Sequence, residues 1–282
     1  MHGLVWYKGL ILGIIQGATE FFPVSSSAHL VIAQSYLGVH DSARVLYAFD
    51  TALHFGTLIA AIIFFRWDLA CLFTSWVKPW RVKLEQKAPP SPWDIPAAKK
   101  ISLLIILGII PAGLLGAVFH QFFEDLFNDT LMVALFMMIT GVLIYSTRDI
   151  KNNNAGFGQM GFKQALLIGL AQVASILPGI SRSGATISAG LFFKLKPETA
   201  FRFSFLMMVP LAAGSVIMDL KEFAGFPLEA VTATILGSIA AGVVGFNSLK
   251  FLLKLMEEGK FPCFAYYCWA VGGLVMLKEI FL

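Results

Sequence analysis

The sequence predicts an all-α polytopic membrane protein with six transmembrane helices and two re-entrant helical hairpins, arranged as inverted repeats. Three observations carry that prediction. First, 57% of the 282 residues are hydrophobic and only 13% are charged, against roughly 25% charge in a soluble domain; mean hydropathy is +0.77. Such a composition excludes a disordered chain and argues strongly against a soluble globular one. Second, six apolar stretches reach the length of about 20 residues that a bilayer demands. Third, two further apolar stretches are each broken at a polar elbow, and the two elbows resemble each other.

The six spans are read at 48–66, 101–119, 130–147, 199–218, 228–246 and 262–281. Residues 4–37 are interrupted by Phe22-Pro23-Val24-Ser25-Ser26-Ser27, and residues 164–195 by Leu177-Pro178-Gly179-Ile180-Ser181-Arg182-Ser183-Gly184. Each leaves two arms that are short for spans and suit half-helices of a re-entrant hairpin. The N-terminus is not read as a signal peptide: it has no basic leading segment, and its apolar run meets Gln16 and Glu20 instead of a small-residue cleavage site.

Lys and Arg concentrate on cytoplasmic connections, which supplies the orientation. The connection 67–100 carries Lys78, Arg81, Lys83, Lys87, Lys99 and Lys100, whereas 120–129 carries acids and no Lys or Arg. Segments 148–163, 194–202 and 247–261 are basic again, and 219–227 has only Lys221. The alternation holds if both broken segments return to the side they came from. The first hairpin then enters from outside and the second from inside, with both termini outside. The Pro- and Trp-rich loop 67–100 is read as an interfacial cytoplasmic segment. Arg66 is expected to snorkel at its border, and Asp219 and Glu222 to be external boundary residues. Cys71, Cys263 and Cys268 form no CxxC pair and are read as small apolar side chains.

An offset of 156 residues places Gly13 on Gly169, Gln16 on Gln172, Ser25 on Ser181 and Ser27 on Ser183. Each half then reads as a hairpin followed by three spans, about 1–147 and 161–282, within one integral-membrane domain. Inverted repeats with broken helices place a site near the midplane, where half-helix N-termini face an anion.

The elbows hold the polar residues expected of such a site. Gln16 and Glu20 share a helix face, Ser25, Ser26 and Ser27 open the second arm, and His29 lies within a turn of them. The second elbow sets Arg182 among Ser181, Ser183, Gly184 and Thr186. Hydroxyls and helix N-termini donate to anions, and a guanidinium fork matches phosphate. A charge inside a membrane costs roughly 3 kcal/mol on insertion scales, so it marks a site by default. The competing structural readings are N-capping by the serines, an interfacial Glu20 or its structural pairing with Arg182, snorkelling of Arg182 to a headgroup, and a satisfied structural histidine at 29. Taken together, the residues describe a phosphate pocket better than those readings do. Asp50 and His54, four apart on one span, are read as supporting the site or as an interfacial pair.

The chain resembles the undecaprenyl-diphosphate phosphatases, the bacitracin-resistance membrane phosphatases of bacteria. The resemblance covers essentially the whole length. It rests on Gln16-x-x-x-Glu20, on Pro23-Val24-Ser25-Ser26-Ser27-Ala28-His29, and on Pro178-Gly179-Ile180-Ser181-Arg182-Ser183-Gly184-Ala185-Thr186. Gly108-Ile109-Ile110-Pro111-Ala112 and Phe203-Ser204-Phe205-Leu206 support it. It implies hydrolysis of the terminal phosphate of a C55 polyprenyl diphosphate, which recycles the lipid carrier for wall synthesis. It also implies a divalent cation (Mg²⁺ or Ca²⁺) and a site facing the periplasmic or external side of the bacterial plasma membrane. Carried over by motif position, Gln16, Glu20, Ser26, His29 and Arg182 form the core, with Ser25, Ser27, Ser181, Ser183, Gly184 and Thr186 around it. Gln16 stands where the family has Glu or Gln, leaving one carboxylate fewer for a metal. Ala28 replaces a glycine often seen before the histidine.

The mechanism expected on this footing is in-line attack of Ser26 on the terminal phosphorus, with His29 as general base. Arg182 and the 181–184 amides hold the phosphate, and Glu20 with the Gln16 oxygen binds the cation. Direct attack by water, with Ser26 only a ligand, stays open. The rival class is a lipid-phosphate transporter or flippase on the same repeat, for which a nucleophile–base pair would be superfluous. The expected partners are the lipid substrate and the membrane, with a homodimer left open and nothing pointing to nucleic acid.

Overall fold

The computed structural model describes residues 3–77, 95–124 and 129–281. Its helices are α1 (Trp6–Phe21), α2 (Ser26–Tyr36), α3 (Ala43–Phe64), α4 (Arg66–Thr74), α5 (Ile95–Glu124), α6 (Thr130–Tyr145), α7 (Phe162–Val173), α8 (Arg182–Phe192), α9 (Pro197–Asp219), α10 (Leu228–Glu257) and α11 (Cys263–Phe281). No strand forms among the described residues; Ala155 and Leu195 make an isolated parallel bridge. Helix starts follow capping chemistry. The Ser42 hydroxyl accepts from the Val45 N–H, and Asp129 accepts from the N–H groups of Leu131 and Met132. Pro197 opens α9, where its missing N–H costs nothing.

Five described helices are long and apolar enough to cross a membrane: Ala43–Phe64, Ala97–Gly116, Pro197–Phe223, Leu228–Glu257 and Cys263–Phe281. Their outward faces expose large apolar side chains such as Ile59, Ile63, Ile106, Ile110, Ile239 and Val243. Lipid covers such faces at no cost, whereas water does not. The chain is a multi-pass membrane protein. The expected span 130–147 folds as the 16-residue helix α6, which at 1.5 Å per residue is about 24 Å long, short of the ~30 Å hydrocarbon thickness. Helix α10 continues past the expected boundary at 246 to Glu257, because lysines end an apolar run without ending a helix. The expected loop 67–100 is partly helical, with α4 at its start and the first residues of α5 at its end; residues 78–94 of that loop lie outside the described residues.

The two hairpins are embedded by small residues. Helix α1 lies against α10, α5 against α7, and α6 against α11. A Cβ on Gly9, Gly13 or Gly17 would fall 2.3, 2.1 or 2.6 Å from the carbonyl oxygens of Ala233, Gly237 and Ala241. A Cβ on Gly169 would fall 2.2 Å from the Gly108 oxygen. Without a hydrophobic drive between helices in lipid, such backbone contact is a main source of association. Beside hairpin one, the buried rings of Phe21, Phe65, Phe201 and Phe205 form a cluster; the Phe21 and Phe205 centroids are 5.6 Å apart. At the border of α3, Asp68 on α4 takes a 2.8 Å contact from Arg202 on α9, and Arg202 also reaches Glu198. Burial raises the Asp68 carboxyl to about 6 while the Arg202 guanidinium pulls it down.

Gly13→Val should force α1 away from α10 and sharply lower the thermal unfolding temperature in detergent. Gly273→Ala, where no atom lies within 4 Å of the added carbon, should leave that temperature unchanged. Equal melting of the two variants would contradict the packing described.

Candidate functional site

The site is built around one carboxylate. Glu20 sits on the last turn of α1 with 3% of its side chain exposed. Its Oε2 accepts from the Ser26 hydroxyl at 2.6 Å and from Gln16 Nε2 at 3.0 Å. Its Oε1 accepts from Arg182 Nη2 at 3.1 Å. His54 Nε2, from α3, lies 3.5 Å from Oε2. The two elbows, 162 residues apart at this contact, therefore meet at Glu20.

Local structure explains why these groups converge. Gln16 and Glu20 are one turn apart on α1 and stack on one face. The chain then turns through Phe22–Ser25, and Ser25 takes φ 67 and ψ 98, a sparsely populated conformation for a non-glycine residue that functional elbows retain. That turn aims Ser26, the first residue of α2, back at Glu20. In the second hairpin Ser181 caps α8 by accepting from the Gly184 N–H at 3.1 Å, which leaves Arg182 in the first turn and free to extend. Gly179 adopts φ +99, and a Cβ there would sit 2.2 Å from the Val133 oxygen, so only glycine fits.

Each elbow is tied down by a helix from elsewhere in the chain. Thr140 on α6 donates to the Gly179 carbonyl and accepts from the Ser181 N–H, both at 3.0 Å. Cys268 on α11 donates to the Pro23 carbonyl at 3.5 Å.

The structure brings together Gln16, Glu20, Ser26 and Arg182 as the motifs predict. Other expected site residues fall elsewhere. His29 makes no hydrogen bond to Ser26. Its Nδ1 is 2.7 Å from the Ser25 carbonyl oxygen and its Nε2 is 2.8 Å from the Tyr267 hydroxyl, so both ring nitrogens that could serve as a base for Ser26 have other partners. Ser25 and Ser27 pair through their hydroxyls at 3.2 Å, as do Ser181 and Ser183. Ser181, Ser183, Gly184 and Thr186 are buried. Thr186 donates to the Arg182 carbonyl and meets Ser204 at 2.5 Å, which joins α8 to α9. Half-buried Ser26, Ser27, His29 and Arg182 form the accessible face.

Asp50 and His54 do not pair through their side chains. Asp50 accepts from Gln34 of α2 at 2.8 Å, and His54 Nδ1 lies 2.8 Å from the Asp50 carbonyl. Together they fasten both arms of hairpin one to α3. Thr140, Tyr267 and Cys268 carry no sequence signal, since hydroxyls, thiols and aromatic rings are ordinary in membrane helices; Ser204 lies in the supporting Phe203-Ser204-Phe205-Leu206 segment, which names no partner for it. His54 had one, its spacing from Asp50, but spacing alone does not name Glu20 as its partner.

For a divalent cation the donor set is partial. Among the described residues no group of three or more His, Cys, Asp or Glu could hold a metal. Gln16 Oε1, however, is buried with no hydrogen-bond partner, an oxygen beside Glu20 that a hard cation would satisfy. The residues fit an ion that completes its shell with oxygens of a phosphate ligand and water.

The family model described as bacitracin resistance protein BacA matches residues 9–274, which takes in both elbows. The chain is similar to the undecaprenyl-diphosphatase of Desulfosudis oleivorans, 41% identical over 95% of this chain and 97% of the relative. It is also similar to that of Halothermothrix orenii, 38% identical over 96% and 97%, and that of Methanobrevibacter smithii, 36% identical over 97% of each.

Thr140→Val removes the hydroxyl that serves both Gly179 and Ser181, stranding a buried carbonyl and a buried N–H. Each such group costs about 1–3 kcal/mol. The variant should melt earlier in detergent than Ser146→Ala, whose hydroxyl bonds only within its own exposed turn; indistinguishable melting would refute the anchoring role.

Proposed function

Because the chain belongs to the bacitracin resistance protein BacA family, we propose that it hydrolyses undecaprenyl diphosphate to undecaprenyl phosphate and inorganic phosphate. That reaction recycles the lipid carrier of wall synthesis and confers bacitracin resistance. The named relatives support the reaction, and the 2.6 Å contact of Ser26 with a carboxylate whose other oxygen meets a guanidinium is the observation that carries the site.

In this mechanism the diphosphate enters beside Arg182, which holds the terminal phosphoryl oxygens. Ser26 Oγ attacks the terminal phosphorus in line and passes its proton to Glu20, as a positioned carboxylate does for the hydroxyl nucleophile in protein kinases. The bond from phosphorus to the bridging oxygen breaks, and undecaprenyl phosphate leaves. Water then cleaves the phosphoserine and restores Ser26. Glu20 and Gln16 would hold Mg²⁺ or Ca²⁺, which when bound neutralises charge on the diphosphate. His29 is not the base in this reading, since both its ring nitrogens are engaged elsewhere. A transporter is the less supported alternative, because moving a lipid requires no hydroxyl poised on a carboxylate.

The finer topology is part of the same proposal: six spans, counting the short α6, and two re-entrant hairpins in inverted repeats of about 1–147 and 161–282. Paired features 156 residues apart support it. The hydroxyl pairs Ser25/Ser27 and Ser181/Ser183 correspond, as do the anchored carbonyls of Pro23 and Gly179. So do Gly13 and Gly169, each seated on a glycine of a neighbouring helix. The distribution of Lys and Arg favours a site open to the external side of the plasma membrane.

Phosphate release from farnesyl diphosphate by the purified protein tests the proposal. Losing a preorganised charge stabiliser typically lowers turnover by about 10²–10³, so Arg182→Ala should fall at least that far while remaining folded. Near-wild-type turnover would remove Arg182 from the site. Chelation with EDTA should abolish release, and readdition of Mg²⁺ or Ca²⁺ should restore it; release unaffected by EDTA would refute the cation.

A further inference from the structure

We infer that Tyr267 is a positioning residue for Ser26, acting through His29, which braces the first elbow. This inference rests on the reading of Ser26 as the nucleophile. A backbone carbonyl has no proton to give, so the contact of His29 Nδ1 with the Ser25 oxygen at 2.7 Å requires the proton on Nδ1. On a neutral ring Nε2 then carries a lone pair, and the Tyr267 hydroxyl, 2.8 Å away, is its donor. The two rings also stack, with centroids 5.7 Å apart and planes 13° from parallel. Tyr267 therefore selects the tautomer that lets His29 hold Ser25.

The residue held is the strained one. Ser25 has φ 67, and such a conformation persists only where its surroundings impose it. The backbone N–H of His29 reaches the Ser25 oxygen only at 3.4 Å, so the imidazole makes the shorter contact. On the other side of the elbow the neighbouring Cys268 holds the Pro23 carbonyl. Consecutive residues of α11 thus grip the elbow before and after its turn. If the grip on Ser25 is released, the peptide leading into Ser26 can rotate to an unstrained conformation, and the Ser26 hydroxyl leaves Glu20.

The test compares kcat and KM for farnesyl diphosphate in Tyr267→Phe, His29→Asn, His29→Ala and Ser26→Ala, each checked for a wild-type melting temperature. Tyr267→Phe keeps the ring and the fold and loses the donor; one neutral hydrogen bond corresponds to about a fivefold fall, expected in kcat with KM unchanged. Asparagine places an N–H where Nδ1 stands but cannot serve as a general base. His29→Asn should therefore recover at least about tenfold over His29→Ala, which releases the strained turn. Wild-type kcat in Tyr267→Phe, or equal loss in His29→Asn and His29→Ala, would overturn the inference. Turnover retained by Ser26→Ala would instead sink the nucleophile assignment on which it rests.

Discussion

A carboxylate shut inside a helical membrane bundle must be surrounded by donors, because stripping an ion of water without replacing its hydrogen bonds costs far more than a fold can supply. Glu20 meets that demand with Gln16 from its own helix, Ser26 from α2, His54 from α3 and Arg182 from α8. The placement of both hairpins follows from it. Neither could shift along its neighbours without leaving a charge unpaired. The same contacts that stabilise the ion also set a hydroxyl, a carboxylate and a guanidinium side by side.

That assembly depends on broken helices being tolerated inside the bundle. Each elbow leaves backbone groups that lipid cannot satisfy, and a helix distant in sequence supplies the missing partner, a thiol of α11 for Pro23 and a hydroxyl of α6 for Gly179. The two hairpins differ in chemistry. At the offset of 156, Glu20 corresponds to Ile176, Ser26 to Arg182 and His29 to Ala185. One hairpin carries the acid and the hydroxyl and the other the guanidinium, so the site exists only where the two meet.

Some of this is legible in the chain and some is not. Apolar run length and charge placement mark the helices because lipid imposes both. They misjudge ends, as in α10, where Lys250 and Lys254 stop the apolar run but not the hydrogen-bond ladder. The two elbow motifs name Glu20, Ser26 and Arg182 correctly as neighbours, since serines, an arginine and prolines in an apolar stretch have few structural explanations. Ser181, Ser183 and Thr186 share that appearance, and only the structure shows what their hydroxyls touch: the Gly184 N–H for Ser181, each other for Ser181 and Ser183, and Ser204 for Thr186.

By itself, then, the sequence determined the class, the broken hairpins and the small set of groups able to handle a phosphate, because burial in lipid makes every polar residue conspicuous. Only the tertiary structure decided which of them act on each other. It turned Ser26 toward Glu20, gave His29 to Ser25 and Tyr267, and brought His54 to the carboxylate. Those pairings depend on the direction of side chains across helices distant in sequence, and spacing along one chain carries no record of that direction.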